Sequence, residues 1–197
     1  SFLQQMIKSK AYNLKPFNYI LEQIIQHFGE IREIKNKKIL ELGPGTRVDL
    51  MRYLADNTKS SQIKGAGLFN IKPWTAYKDF MDSHITRKSF LEFLTNTPDN
   101  EFDLIYSRYV MEQHSIDPWI LITSKTFWKK VLEKNGFKDP GEDYFSSRKN
   151  TQAVFCQALR TVKTGGIIIS HIAKKKYSCL DNDFLESLTV SKVTRQD

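Results

Sequence analysis

The sequence predicts an α/β fold in which a mostly parallel sheet carries helices on both faces. Short apolar segments alternate along the chain with segments of helical period, an order typical of parallel sheets with crossover helices. The first strand, residues 38–42, runs directly into Gly43-Pro44-Gly45, a tight turn that opens a helix. The chain has 197 residues, of which 40% are hydrophobic, so we predict that 1–197 is a single domain with one core.

The other elements are predicted in the same way, from short apolar segments for strands and from apolar positions at helical spacing for helices. Residues 1–36 have apolar positions at spacings of three and four and predict an N-terminal helical cap, and the aromatic insertion 115–149 predicts a lid. In chain order, the remaining predictions are a helix over 48–54, a strand over 63–69, a helix over 74–81, a short strand over 84–86, a strand over 102–107, a helix over 119–134, a loop over 135–149, a helix over 151–162, a turn at Gly165-Gly166 and a buried strand over 167–170.

Charge and cysteine content narrow the class of protein. The formal net charge of +8 favours anionic partners such as nucleic acid or a phosphorylated carrier, and it equally fits a basic solvated surface. The two cysteines form no C-x-x-C pair, so we predict no zinc site or disulfide and expect Cys156 to be buried. No apolar run approaches the roughly 20 residues that span a bilayer, and no signal peptide is evident. We expect a cytoplasmic protein.

The turn Gly43-Pro44-Gly45 is the strongest indication of a ligand site. Glycine lets the chain turn sharply and lets a ligand approach the backbone. The helix that follows offers free N–H groups and a partial positive charge to a carboxylate or phosphate. A dinucleotide site would require G-x-G-x-x-G, and a P-loop would require G-K-[ST]; neither pattern is present after Gly43. NAD, FAD and P-loop nucleotides are therefore disfavoured.

Four segments resemble, in order and spacing, the motifs of class I S-adenosyl-L-methionine (SAM)-dependent methyltransferases. Residues 39–46 resemble the first motif, residues 102–107 the fourth-strand motif, residues 110–114 the V-L-E-H run after it, and residues 159–167 the turn before the fifth strand. The resemblance covers roughly residues 35–173 and is greatest to the type 11, ubiquinone/menaquinone-biosynthesis group. It implies a Rossmann-like fold, SAM as cofactor and S-adenosyl-L-homocysteine as product.

The same resemblance implies roles for individual residues. Glu41 would order the glycine turn near the amino group of the cofactor, and Gly43 and Gly45 would pass beneath its methionine part. Tyr106 and Ser107 would face that methionine part. The implied cofactor-binding residues are Glu41, Gly43, Pro44, Gly45, Thr46, Phe69, Asn70, Ser89, Phe90, Tyr106 and Ser107.

The sequence departs from the family's pattern at two cofactor positions. Asn70 stands where the family commonly has an acid that binds the ribose hydroxyls, and a neutral acceptor forms weaker hydrogen bonds than a charged one. Ser89 stands where a second acid often binds the adenine amine, and Phe90 would pack on the adenine. Only residues 191–194 have strand character after the fifth strand, so we predict a C-terminal hairpin that is short or incomplete.

The catalytic candidates follow the fourth strand. Methyl transfer depends chiefly on alignment of donor and acceptor, and it requires a base only where the acceptor is protonated. His114 is the first candidate base because imidazole titrates near neutrality, and Glu112 is the second. The structural alternatives are a loop cap for His114 and an ion pair with Arg108 for Glu112. We predict no metal site.

Three functions are compatible with these features. The first is a SAM-dependent methyltransferase (enzyme class 2.1.1) that acts on a small-molecule or carrier-tethered acceptor. The second is a degenerate methyltransferase fold that serves as a binding or scaffold module without catalysis, which the two missing acids and the short C-terminus suggest. The third is a nucleic-acid methyltransferase, which the charge suggests and the absence of an N/D-P-P-Y/F tetrapeptide disfavours. The oligomeric state stays open.

Overall fold

The computed structural model describes residues 12–44, 48–59, 62–67, 77–107 and 148–170. In chain order the elements are α1 (Asn18–Phe28), β1 (Ile39–Leu42), α2 (Asp49–Asn57), β2 (Ile63–Ala66), α3 (Lys78–His84), β3 (Ile85–Thr86), α4 (Phe90–Thr95), β4 (Phe102–Ser107), α5 (Arg148–Thr161) and β5 (Val162–Ser170), with short 3₁₀ turns at Lys15–Phe17 and Ile31–Ile34. The five strands form one sheet in the order β3-β2-β1-β4-β5, and every neighbouring pair is parallel. The predicted Rossmann-like α/β fold class is confirmed.

Helices α1 and α2 cover one face of the sheet. The apolar stripe of α1 is fully buried at Ile20, Leu21 and Ile24, as its helical spacing predicts. Helix α1 ends at Gly29, whose backbone N–H donates to the carbonyl of Ile25 at 2.8 Å. The core on this face also contains Ile39, Leu50, Met51, Tyr53, Leu54, Ile63, Leu104, Tyr106 and Ile169. The middle of the 1–36 segment is therefore part of a helix layer.

Helices α4 and α5 cover the opposite face. Their buried side chains contact the strand residues that alternate with those of the first face, because side chains along a strand point to opposite sides. This second core contains Leu40, Leu42, Ala66, Leu94, Phe102, Ile105, Val154, Phe155 and Ala158. Burial on both faces is typical of a parallel sheet, and it explains why β1 and β4 are continuously apolar apart from a few polar positions.

The sheet has a topological switch point between β1 and β4. Successive strands are added on one side of β1 as far as β3, and the chain then crosses to place β4 on the other side. The last residues of the two central strands, Leu42 and Ser107, are register partners. In open α/β sheets, ligands bind in the crevice outside the carboxyl ends of the strands at such a point.

One helix was not anticipated from the sequence. Helix α4 has only six residues, and it begins after Ser89, whose hydroxyl oxygen accepts a hydrogen bond from the backbone N–H of Glu92 at 3.1 Å. Ser-x-x-Glu before an apolar run is a capping signature, so the sequence contained a signal for this helix. Phe90, predicted as an adenine contact, is the first residue of the helix and packs partly buried against the second core.

Four other predictions need correction. The turn predicted at Gly165-Gly166 lies inside β5, where the pairing with β4 shifts register between Phe102 and Leu104. Helix α5 begins at Arg148 within the predicted 135–149 loop, and His84 ends α3 and does not begin β3. Cys156 is exposed, because it lies on the outer side of α5. Among the described helices, none is long and apolar enough to cross a membrane.

Candidate functional site

The glycine turn after β1 is anchored to the end of β2. Gly43 has a φ of 71°, a conformation that favours glycine, and its N–H donates to the carbonyl of Ala66 at 2.8 Å. Pro44 lies directly over β2. A Cβ atom at Gly65 would lie 3.3 Å from Pro44 Cγ and 2.8 Å from the terminal methyl of Met51. The absence of a side chain at Gly65 thus lets the turn settle close against the sheet.

A buried acid lies immediately before this turn. Glu41 is 2% exposed, and the hydroxyl of Tyr106 donates to its Oε2 at 2.8 Å across the β1–β4 pair. Burial, the charge of Glu41 and this hydrogen bond together raise the pKa of Tyr106 well above its ordinary value of 10, so the phenol stays protonated as a donor. A buried carboxylate requires such a donor, since an unpaired charge is costly in a low dielectric. Tyr106 therefore supports Glu41 from within the core.

The ends of β2 and β3 are held together beside the turn. The N–H of Gly67 donates to the carbonyl of Thr86 at 3.2 Å, directly after β3 pairs with β2. Ser89 follows within three residues, and its hydroxyl accepts the capping bond of α4. A hydroxyl has two lone pairs and a proton, so Ser89 retains further hydrogen-bonding capacity. Residues 85–90 contain no carboxylate that could bind the adenine amine at the predicted adenine position.

Two serine hydroxyls complete this end of the sheet. Ser107 ends β4 and Ser170 ends β5, and the two are register partners. Both Oγ atoms are buried, and neither has a hydrogen-bond partner within the part of the chain that the structure describes. Buried polar groups in native proteins are nearly always paired, so an orphaned one requires an explanation. Ser107 is among the residues predicted from the sequence and Ser170 is not, although a serine that ends the apolar run Ile167-Ile168-Ile169 is a signal for it.

Arg52 on α2, the helix after the glycine turn, lies between two tyrosine rings. The Arg52 guanidinium carbon is 4.2 Å from the ring centroid of Tyr77 and 5.2 Å from that of Tyr12. Arg52 also lies 3.7 Å from Asp49, and the hydroxyl of Tyr12 hydrogen-bonds to Asp56. Cation–π contacts of this kind contribute about 0.5–2 kcal/mol. Through these contacts, Tyr12 before α1 and Tyr77 before α3 both pack against helix α2, which follows the glycine turn.

The structure brings part of the predicted site together. Glu41, Gly43, Pro44, Tyr106 and Ser107 lie at the carboxyl ends of the two central strands, and Ser89 and Phe90 lie beyond the end of β3. The remaining predicted site residues lie outside the described residues, namely Gly45, Thr46, Phe69, Asn70, Glu112 and His114. Their roles stay predictions.

Comparison with known proteins adds little to this geometry. No family model and no curated protein sequence matches the chain. One similar solved structure is a Methanococcus maripaludis protein named as a candidate SAM-dependent methyltransferase. It shares 18% sequence identity with a TM-score of 0.42, and the match covers 93% of this chain and 68% of that chain. So distant a likeness carries no functional argument, and the function must be argued from the site.

Proposed function

We propose that this protein is a SAM-dependent methyltransferase with a small-molecule or carrier-tethered acceptor. The observation that carries the proposal is the glycine turn after β1. It lies at the switch point, is tied to β2 through the N–H of Gly43, and directly follows the buried acid Glu41. The motifs that resemble the methyltransferase family supply the specific class, since they fall on β1, β4 and the start of β5.

The described residues fit such a cofactor. The glycine turn lets a ligand approach the backbone, and the carboxylate of Glu41 directly before it would lie near the ammonium group of SAM, as the family resemblance implies. When bound, SAM supplies an electrophilic methyl group on a sulfonium. The protein's part is to hold that group and the acceptor in line, and Glu112 or His114 would accept the acceptor's proton where it has one. Thr46, Phe69, Asn70, Ser89 and Phe90 would contact the rest of the cofactor.

One observation favours the alternative of a binding module without catalysis. Ser89, which the family resemblance predicts to lie at the adenine position, already uses one lone pair to cap α4. A neutral hydroxyl that is shared in this way binds an amine more weakly than a carboxylate does. A protein that binds a partner tightly and shows no SAM affinity would have this second function.

The first test is titration calorimetry of the folded protein with SAM and, separately, with S-adenosyl-L-homocysteine. Micromolar affinity for both is expected under the methyltransferase proposal. Absence of binding to either, by protein with a cooperative thermal transition, would overturn it and favour the binding module. A screen of acceptors with methyl-labelled SAM then follows from a positive result.

A matched pair of glycine variants assigns the site. Gly43 and Gly165 both have positive φ, 71° and 81°, so Ala at either position introduces similar backbone strain, about 1–2 kcal/mol. Gly43→Ala should weaken SAM binding at least tenfold, because it distorts the turn. Gly165→Ala should lower stability and leave the SAM affinity unchanged, because Gly165 lies in the first half of β5, away from the strand's carboxyl end. Equal affinity in both variants would contradict the assigned pocket.

A further inference from the structure

Two orphaned hydroxyls lie side by side where β4 and β5 end. Ser107 is 0% exposed, its register partner Ser170 has a buried Oγ, and neither oxygen has a hydrogen-bond partner in the described ranges. Adjacent parallel strands are about 4.8 Å apart, so the two side chains project from neighbouring positions. Because burial without a partner is unfavourable for a hydroxyl, this pair is poorly explained as part of the folding core.

Among the described residues, the buried side chains on the same sheet face as the two hydroxyls are apolar. Side chains alternate along a strand, so Ser107 shares the sheet face of Ile105, and Ser170 shares that of Ile168. This face is the second core, and all its buried members are hydrophobic. The described side chains of this core carry no charge, so a carboxylate or phosphate placed among them would be buried without a counter-charge, which is costly. An uncharged oxygen would both donate to and accept from serine hydroxyls.

We propose that Ser107 and Ser170 together bind an uncharged oxygen, a hydroxyl or carbonyl, of an otherwise apolar ligand. The site lies at the ends of β4 and β5, on one side of the switch point. Ser89 and Phe90 lie on the other side, beyond the end of β3. We assign the site to the acceptor, in place of the contact with the methionine part of SAM that the family resemblance implies for Ser107, and this assignment rests on the proposed methyltransferase function. The ligand class is a neutral, largely apolar alcohol, phenol or ketone, and acidic acceptors are disfavoured.

The first arm of the test is thermal stability. Ser107→Ala and Ser170→Ala, singly and together, should not lower Tm, because no hydrogen bond is lost. Ser89→Ala is the matched control: it removes the cap of α4 and should lower Tm by about 2–4 °C. If the double serine variant loses as much as Ser89→Ala, the hydroxyls have structural partners and the proposal is wrong.

The second arm measures ligand binding in the absence of cofactor. Benzyl alcohol and benzoate share a ring and differ in the charge on the oxygen, so they serve as probes in an NMR titration. We expect benzyl alcohol to bind the wild-type protein at least tenfold more tightly than benzoate does. The Ser107→Ala/Ser170→Ala variant should bind benzyl alcohol roughly tenfold more weakly, the loss expected for two neutral hydrogen bonds.

The outcomes separate this site from the methyltransferase proposal. Equal affinity of wild type and double variant for benzyl alcohol, no binding of it, or preference for benzoate would each overturn the hydroxyl site. Calorimetry with SAM on the wild-type protein decides the proposed function by itself. Failure of SAM binding removes the acceptor role, whereas the result with benzyl alcohol still decides whether the two serines bind an uncharged oxygen.

Discussion

The two ends of the sheet differ in whether their polar side chains are paired with other described residues. At the amino end, Asp103 accepts hydrogen bonds from the backbone N–H of Lys38 at 2.8 Å and from Lys163 Nζ at 3.1 Å. The side chain of Lys38 meets Glu101 at 2.9 Å. These groups lie in, or directly before, β1, β4 and β5, and their opposite charges are paired. The amino end is thus held together by contacts that the protein supplies itself.

At the carboxyl end, the buried hydroxyls of Ser107 and Ser170 have no hydrogen-bond partner among the described residues. The acid there, Glu41, accepts a hydrogen bond from the hydroxyl of Tyr106. Under the proposals above, the paired polar groups of the amino end stabilise the fold, and the unpaired serine hydroxyls of the carboxyl end bind a ligand. We therefore expect amino-end variants to change stability alone, and carboxyl-end variants to change ligand binding.

The largest stability effect is expected at Arg160, at the end of α5. Its Nη2 donates to the carbonyls of Leu94 and Thr97 at 2.7 and 2.8 Å, and its Nη1 pairs with Asp99. Arg160→Ala removes several charge-assisted hydrogen bonds and should lower the free energy of unfolding by about 2–3 kcal/mol, or Tm by roughly 5–10 °C. The affinity for SAM should not change.

The control for Arg160 is Arg32→Ala. Arg32 has an ion pair with Glu30, but its side chain is 77% exposed, so its removal should change stability by less than about 0.5 kcal/mol. Urea denaturation measures both variants. If Arg160→Ala is as stable as Arg32→Ala, the contacts of Arg160 with Leu94, Thr97 and Asp99 do not stabilise the fold.

A smaller effect is expected at high pH from Tyr106. Its pKa is raised in the folded protein, so the native state retains a proton that the unfolded chain releases near pH 10. The resulting stabilisation is fully present below pH 10 and is lost as the pH rises toward the raised pKa, with a slope of at most about 1.4 kcal/mol per pH unit. Tyr106→Phe should lack this component of the slope.

Urea denaturation at pH 9, 10 and 11 compares Tyr106→Phe with Tyr53→Phe. The pKa of Tyr53 is raised by burial alone, without a carboxylate partner, so its substitution should alter the slope less. Identical slopes in the wild-type protein and Tyr106→Phe would mean that the phenol does not hold its proton beside Glu41.

The smallest effect is expected at Lys38, at the amino end of β1. Its side chain is 43% exposed, so solvent screens the pair with Glu101, and Lys38→Ala should cost about 0.2–1 kcal/mol. The backbone bond from Lys38 to Asp103 is kept in this variant. Calorimetry should give the wild-type SAM affinity, and a tenfold weaker value would break the separation between the two ends.

Much of the fold could be predicted because its signals are local. The apolar runs of β1 and β4, the stripe of α1 and the glycine turn each lie within a few neighbouring residues. Helix α4 was missed because six residues give too few turns for a period to emerge, although its Ser-x-x-Glu cap was legible. Cys156 was predicted to be buried and is exposed. Periodicity shows that α5 has an apolar face, but it does not show which residues at the border of that face are covered.

Local patterns were sufficient to predict β1, β4, the helix stripe of α1, the turn at Gly43 and the acid that precedes it, because strand and helix periods and turn chemistry depend on adjacent residues. The pairing of polar groups, in contrast, depends on the tertiary structure. Tyr106 meets Glu41, and Ser107 lies beside Ser170, through the register of strands that are distant in the chain. Register depends on packing across both faces of the sheet, so no local pattern could show that one pair is satisfied and the other is not.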